Sequence, residues 1–113
     1  MLVETLSARD LKTKLDAGCP LVLLDVREHD ERNFCVIAAT GAVVDLHIPM
    51  SHMLLRLDEV VAHQTPIVLY CHHGVRSMVT ARWLSGRGVA GLANLDGGID
   101  AWSREVDVSV PRY

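Results

Sequence analysis

Ile67-Val68-Leu69-Tyr70-Cys71-His72-His73-Gly74-Val75-Arg76-Ser77 reads as a short buried strand running into a turn, and Met78-Val79-Thr80-Ala81-Arg82-Trp83-Leu84 continues it as a helix. A cysteine therefore stands where the strand ends and the turn feeds a helix N-terminus. The unpaired N–H groups of the turn and first helical turn, with the positive end of the helix dipole, point toward such a sulfur. That setting favours thiolate over thiol. Gly74 gives the loop backbone angles closed to other residues, so successive amides can turn inward as an anion-binding nest. Arg76 adds a fixed positive fork in the same loop. The alternative is an ordinary core cysteine, a common fate of this residue type. A glycine and an arginine in one tight strand-to-helix loop favour the reactive thiol.

Upstream, Pro66 opens this strand. Ser7 is the predicted N-cap of a helix carrying Leu11 and Leu15 at helical spacing and closing at Gly18, with Pro20 as the exit. Residues 21–26 form an apolar run broken only by Asp25, the signature of a strand buried on both faces. Residues 27–32 are polar and predict a short surface helix, and residues 41–46 predict a further strand ended by Pro49. Ser51 is placed to cap a helix through His63, with Met53, Leu54, Leu57, Val60 and Val61 as its apolar face. Beyond the cysteine loop the helix ends at Gly86-Arg87-Gly88, and residues 89–95 predict a strand that Gly91 weakens. Asp96-Gly97-Gly98 makes a second glycine turn and residues 99–104 a last helix. The stretch 106–113 has no clear period, and no repeat, linker or low-complexity segment is present.

Strands alternating with helices imply right-handed βαβ crossovers, hence an α/β fold with a mostly parallel sheet and helices on both faces. Ligands bind at the carboxyl ends of the strands in such sheets, and Cys71 occupies that edge. Asp25 ends one strand and Asp96 follows another, so both are placed to approach the same crevice. The 113 residues suit one domain, 1–113, with a single core.

Half the residues are hydrophobic, yet the apolar runs are short and broken by charge, so no membrane span is expected. Met1-Leu2-Val3-Glu4 lacks the basic-then-apolar order of a secretory signal, which makes a cytoplasmic location the expectation. Cys19, Cys35 and Cys71 are scattered and odd in number, which argues against a disulfide framework and fits a reducing compartment. The net charge of −3 comes with no basic cluster and few aromatics. Nucleic-acid binding wants a basic stripe or a stacking platform, so that class is set aside.

Four stretches then combine. Asp25-Val26-Arg27-Glu28, Ile48-Pro49, Cys71-His72-His73-Gly74-Val75-Arg76-Ser77 and Leu95-Asp96-Gly97-Gly98-Ile99-Asp100-Ala101-Trp102 resemble, in order and spacing, the signatures of the rhodanese family of sulfurtransferases in its single-domain form. The resemblance covers nearly the whole chain and implies a single-domain rhodanese-like fold of about five strands. It implies that sulfane sulfur passes from a donor such as thiosulfate, a polysulfide or a persulfide to Cys71, is held there as a persulfide, and moves on to a thiophilic acceptor, a thiol or cyanide-like group. Cys71 would be the nucleophile and Arg76 the donor-orienting cation. The backbone amides of His72, His73, Gly74, Val75, Arg76 and Ser77 would form the cradle. No metal or organic cofactor is needed. A sulfur-carrier protein or a persulfidated cysteine desulfurase would be the protein partner. The chain departs from the family where a Gly-His-Ile stretch usually stands, here replaced by Cys35-Val36-Ile37-Ala38-Ala39-Thr40.

Cysteine phosphatases and arsenate reductases also set a Cys and an Arg around an anion, but leave one more residue between the two than the four found here, 72–75. Phosphatase chemistry is thus the enzyme alternative. A non-catalytic docking module on the same fold is the other, and the retained cysteine counts against it. His72 and His73 could assist thiolate formation or attract an anionic donor when protonated; as neighbours they are not both expected to point inward, leaving at least one a minor role. A metal site built from them with His47, His52 or His63 has no recommending ligand spacing. Ser77 could donate to the sulfur or cap the following helix. Asp25 and Arg27 are expected to support the site by bonding loop backbone or each other, and the Asp96 turn to shape the pocket rim. Cys35 could resolve a Cys71 persulfide, though a small packing role is favoured; Cys19 is incidental. Trp83 and Trp102 read as packing residues.

Overall fold

Strands with apolar side chains on both faces demand a sheet covered on two sides, and a computed structural model, which describes residues 3–113, has that form. Met1 and Leu2, the first half of the stretch read above for a leader, lie outside the described residues. The strands are β1 (Glu4–Leu6), β2 (Leu21–Asp25), β3 (Val43–His47), β4 (Ile67–Tyr70) and β5 (Leu92–Leu95). They pair wholly in parallel, in the order β1-β5-β4-β2-β3. The helices are α1 (Ala8–Asp16), α2 (His29–Phe34), α3 (Leu57–Val61), α4 (Val75–Gly86) and α5 (Gly98–Glu105), with one 3-10 turn at Met50–His52.

The period of two along β2 sorts its side chains between two cores. Leu21 and Leu23 join Leu11 of α1 and Ile99 and Trp102 of α5. Val22 and Leu24 join Val60 of α3 and Ala81 and Leu84 of α4. Ser7 caps α1 as expected, accepting the Asp10 N–H at 3.1 Å. Among the described residues no helix is long and apolar enough to cross a membrane.

Two expectations need correction, and two features lie beyond the sequence reading. β1 was not anticipated, because three residues beside β5 are too few to show an alternation. The helix expected over 51–63 breaks in two: Arg56, at φ −117° and ψ 20°, leaves helical geometry and folds its guanidinium onto Glu59. Of the apolar face assigned there, Met53 and Val60 are buried, whereas Leu54 and Val61 are exposed. The strand expected over 89–95 starts only at Leu92, because Gly91 turns the chain at φ 72°. The patternless stretch 106–113 packs back on the molecule, with Val110 in the core and its carbonyl accepting the Ser103 hydroxyl.

Candidate active site

β4 lies between β5 and β2, so its carboxyl end opens at the middle of the sheet edge. Cys71 follows directly and is 1% exposed. Gly74, at φ 98°, reverses the chain and sits at the N-cap of α4, which therefore begins at Val75. That conformation is left-handed, the region only glycine enters freely. The turn brings three donors onto one atom: Cys71 Sγ accepts the Gly74 N–H at 3.1 Å, the Ser77 N–H at 3.3 Å and the Ser77 hydroxyl at 3.3 Å. Of the amides expected around the sulfur, those of Gly74 and Ser77 reach it. Ser77 lies inside α4 and is no cap; its hydroxyl turns to the sulfur and to Asn94 Oδ1. It has one proton to give, so it serves one acceptor at a time. Asn94, in the buried strand β5, also donates to the Gly74 carbonyl at 3.1 Å.

The second glycine turn holds the loop from behind. The first amides of α5 donate to its carbonyls, Ile99 to Cys71 at 2.9 Å and Asp100 to His72 at 3.1 Å. Gly98 has φ 61°, and a Cβ there would stand 2.4 Å from the His72 oxygen and 2.5 Å from that of Cys71. No side chain fits that approach. Asp96 ties the turn to β1 through its N–H, which donates to the Leu6 carbonyl at 2.8 Å.

At the neighbouring end of β2, Asp25 and Arg27 bond each other, one of the two arrangements expected for them. Both are 0% exposed. Arg27 donates through Nε to Asp25 Oδ1 at 2.9 Å and through Nη2 to Oδ2 at 2.8 Å. Its remaining N–H groups reach the Cys35 and Glu31 carbonyls and the Tyr113 hydroxyl. Burial works against the guanidinium charge, and the bonds to Asp25 and Tyr113 outweigh it, leaving the pKa raised. Cys35 is buried with Sγ 3.7 Å from Arg27 Nη1, and all three cysteines are free thiols.

Arg76, expected to orient a donor, is clamped by Glu31 of α2 through two bonds of 2.7 and 2.8 Å. The Arg76 hydrogen bonds hold the Glu31 carboxyl down to about 2, against some opposition from burial and with help from the Tyr113 hydroxyl, which donates at 2.7 Å. His72 is half-buried and His73 exposed, so the two do not both point inward; their rings stack at 3.8 Å, and Tyr113 covers the other face of His72 at 3.7 Å. His72 is half-buried with Nε2 unpartnered, and burial first, then His73, pushes its pKa below the usual imidazole value. His72, His73 and Asp100 place ligand atoms within 4.8 Å of one another. Both Asp100 oxygens already accept guanidinium donors, from Arg104 at 3.0 Å and Arg112 at 2.9 Å, with which a cation would compete. His47 and His52 gather instead around His29.

Sequence reasoning missed Glu31, Asn94 and Tyr113. Asn94 had a legible signal: an amide inside an apolar strand must find partners. Glu31 had none, since its partner Arg76 lies 45 residues away.

Comparison with known proteins agrees with this geometry. The family model described as Rhodanese-like domain matches residues 7–105. The chain is 30% identical over 104 residues to a sulfurtransferase of Allochromatium vinosum, covering 91% of each chain. It is 29% identical over 110 residues to the probable adenylyltransferase/sulfurtransferase MoeZ of Mycobacterium tuberculosis, covering 97% of this chain and only 27% of that protein. A rhodanese-related protein of Thermoplasma volcanium superposes with a TM-score of 0.73 at 27% identity, covering 91% of this chain and 93% of the other.

Proposed function

Because the chain belongs to the rhodanese-like domain family, we propose that it is a sulfurtransferase working through a persulfide on Cys71. The observation that carries this reading is the convergence of the Gly74 and Ser77 amides and the Ser77 hydroxyl on Cys71 Sγ at the carboxyl end of the central strand. Uncharged donors fixed around one atom hold an anionic sulfur without having to reorganise. The Cys71 thiolate attacks the outer sulfur of the donor. A new S–S bond forms on Cys71, the donor S–S bond breaks, and the leaving group departs with the bonding pair. An acceptor thiolate then attacks the outer sulfur of the Cys71 persulfide, leaving the Cys71 thiolate and the acceptor persulfide.

His72, His73, Gly74 and Val75 shape the cradle together with Ser77. Arg76 offers the N–H groups that Glu31 leaves free, and these orient the donor. Asp25 and Arg27 hold the adjoining strand end. The MoeZ match supports a protein-borne sulfur acceptor as partner.

The test is intact-mass measurement after incubation with thiosulfate or with an alkyl persulfide. The expected result is one added sulfur, removed by cyanide and absent in Cys71→Ser. An unmodified protein that instead hydrolyses p-nitrophenyl phosphate would place the chemistry with the cysteine phosphatases.

A further inference from the structure

The charges around the Cys71 loop are already matched. Glu31 clamps Arg76 with both oxygens, and its own orientation is fixed by the Tyr113 hydroxyl at 2.7 Å and the Glu28 N–H at 3.1 Å. Burial pushes the Tyr113 hydroxyl up to about 12, so it stays a donor. The open cleft beside Arg76 is lined by Val26, Met50, Ser51 and a second carboxylate, Glu28. The guanidinium is thus paired with Glu31, and Glu28 lines the same cleft. Arg27 and Arg32 are paired with Asp25 and Asp45. Burial and His73 push the half-buried His72 imidazole below its usual pKa, which disfavours its charged form. The donors that reach Cys71 Sγ are neutral.

Among the described residues, the guanidinium groups of Arg27, Arg32 and Arg76 would all meet a thiosulfate dianion already paired with carboxylates, and sulfite would leave past them as a dianion. An alkyl persulfide carries one negative charge at most. We infer that the sulfur donor is an alkyl persulfide, and that Glu31 is the specificity residue that turns dianionic donors away. The inference rests on the sulfur-transfer reading above. In the step it assigns, the Cys71 thiolate attacks the outer sulfur of R–S–SH. The Cys71 S–S bond forms, the R–S–SH sulfur–sulfur bond breaks, RS⁻ leaves with the bonding pair, and the proton stays on the transferred sulfur. Sulfane sulfur changes carrier, and no outside oxidant or reductant enters.

The experiment measures Cys71 loading, by rapid quench and intact mass, with thiosulfate and with 2-hydroxyethyl persulfide, in the wild type and in Glu31→Gln. The wild type is expected to load from the persulfide at least about tenfold faster, the factor that ~1.4 kcal/mol of repulsion gives. Glu31→Gln should raise kcat/KM for thiosulfate about tenfold, through KM, a larger gain than for the persulfide. Sulfate in the wild type should fail to compete with persulfide loading, a readout that needs no variant. A glycine-flanked cysteine persulfide peptide separates the sources: faster loading than from 2-hydroxyethyl persulfide supports a protein-borne donor, equal loading a small thiol. Thiosulfate loading as fast as persulfide, competition by millimolar sulfate, or equal shifts of both donors in Glu31→Gln overturns the inference and leaves sulfur transfer standing. Loading from neither donor overturns both.

Discussion

The carboxyl ends of β2 and β4 lie side by side in the sheet, with Asp25 opposite Tyr70, and they treat charge in opposite ways. At the end of β2 two formal charges are sealed from water and bonded to each other, and Nε, Nη1 and Nη2 of the guanidinium all have partners. At the end of β4 a sulfur is surrounded by uncharged donors and no counter-charge bonds to it. Each end also holds a buried thiol. Cys35 is the one beside a guanidinium, yet that guanidinium is already neutralised by Asp25. Proximity to a positive residue therefore does not by itself separate the two thiols. What distinguishes Cys71 is a set of converging donors with no other anion to serve.

The contrast breaks most visibly in Asp25→Asn. This substitution keeps the shape and leaves the Arg27 charge buried alone, so urea unfolding should show a loss of about 3–5 kcal/mol. Cys71→Ser, by contrast, should stay within about 1 kcal/mol of the parent. Equal losses for the two would mean that both strand ends are structural.

Gly98→Ala drives a Cβ into the loop carbonyls. Overpacking of this kind should cost about 1–3 kcal/mol, and single-turnover loading of Cys71 should fall by about a hundredfold as the loop shifts. Unchanged loading would show that the α5 turn does not position the sulfur.

Ser77→Ala removes the hydroxyl and leaves the amide. Loading should drop about tenfold, the kinetic weight of one lost donor. A drop no larger than that in Cys35→Ser would break the account of the cradle.

The smallest effect sharpens the boundary between the two ends. Glu31 is held at about 2 in the folded protein, below its ordinary 4.5, so its stabilising contribution is complete above pH 4.5 and is lost as pH falls from there toward 2. Denaturant midpoints across that window should fall less steeply in Glu31→Gln. Identical slopes would show that the Arg76–Glu31 pair contributes nothing to stability.

Much of this molecule is legible in its sequence. β4, its cysteine loop and α4 follow from an apolar run, a glycine and a polar start to a helix, all local signals. The burial of β2 on both faces follows from the apolar run Leu21-Val22-Leu23-Leu24. What escaped is set by distant partners. Glu31 acquires its meaning only when α2 meets the loop, and Tyr113 only when residues 106–113 return across the molecule. The helix expected over 51–63 failed for a different reason: Met53, Leu57 and Val60 have the right spacing, but the backbone leaves helical geometry at Arg56, a break that no apolar period marks.

The most direct measurement of the central claim is peptide-level mass mapping of the wild-type protein after one turnover with a persulfide donor, before and after cyanide. The account predicts added sulfur on the peptide that contains Cys71, removed by cyanide, with Cys35 and Cys19 unmodified. Sulfur distributed over Cys35 or Cys19, or missing from Cys71, would contradict it.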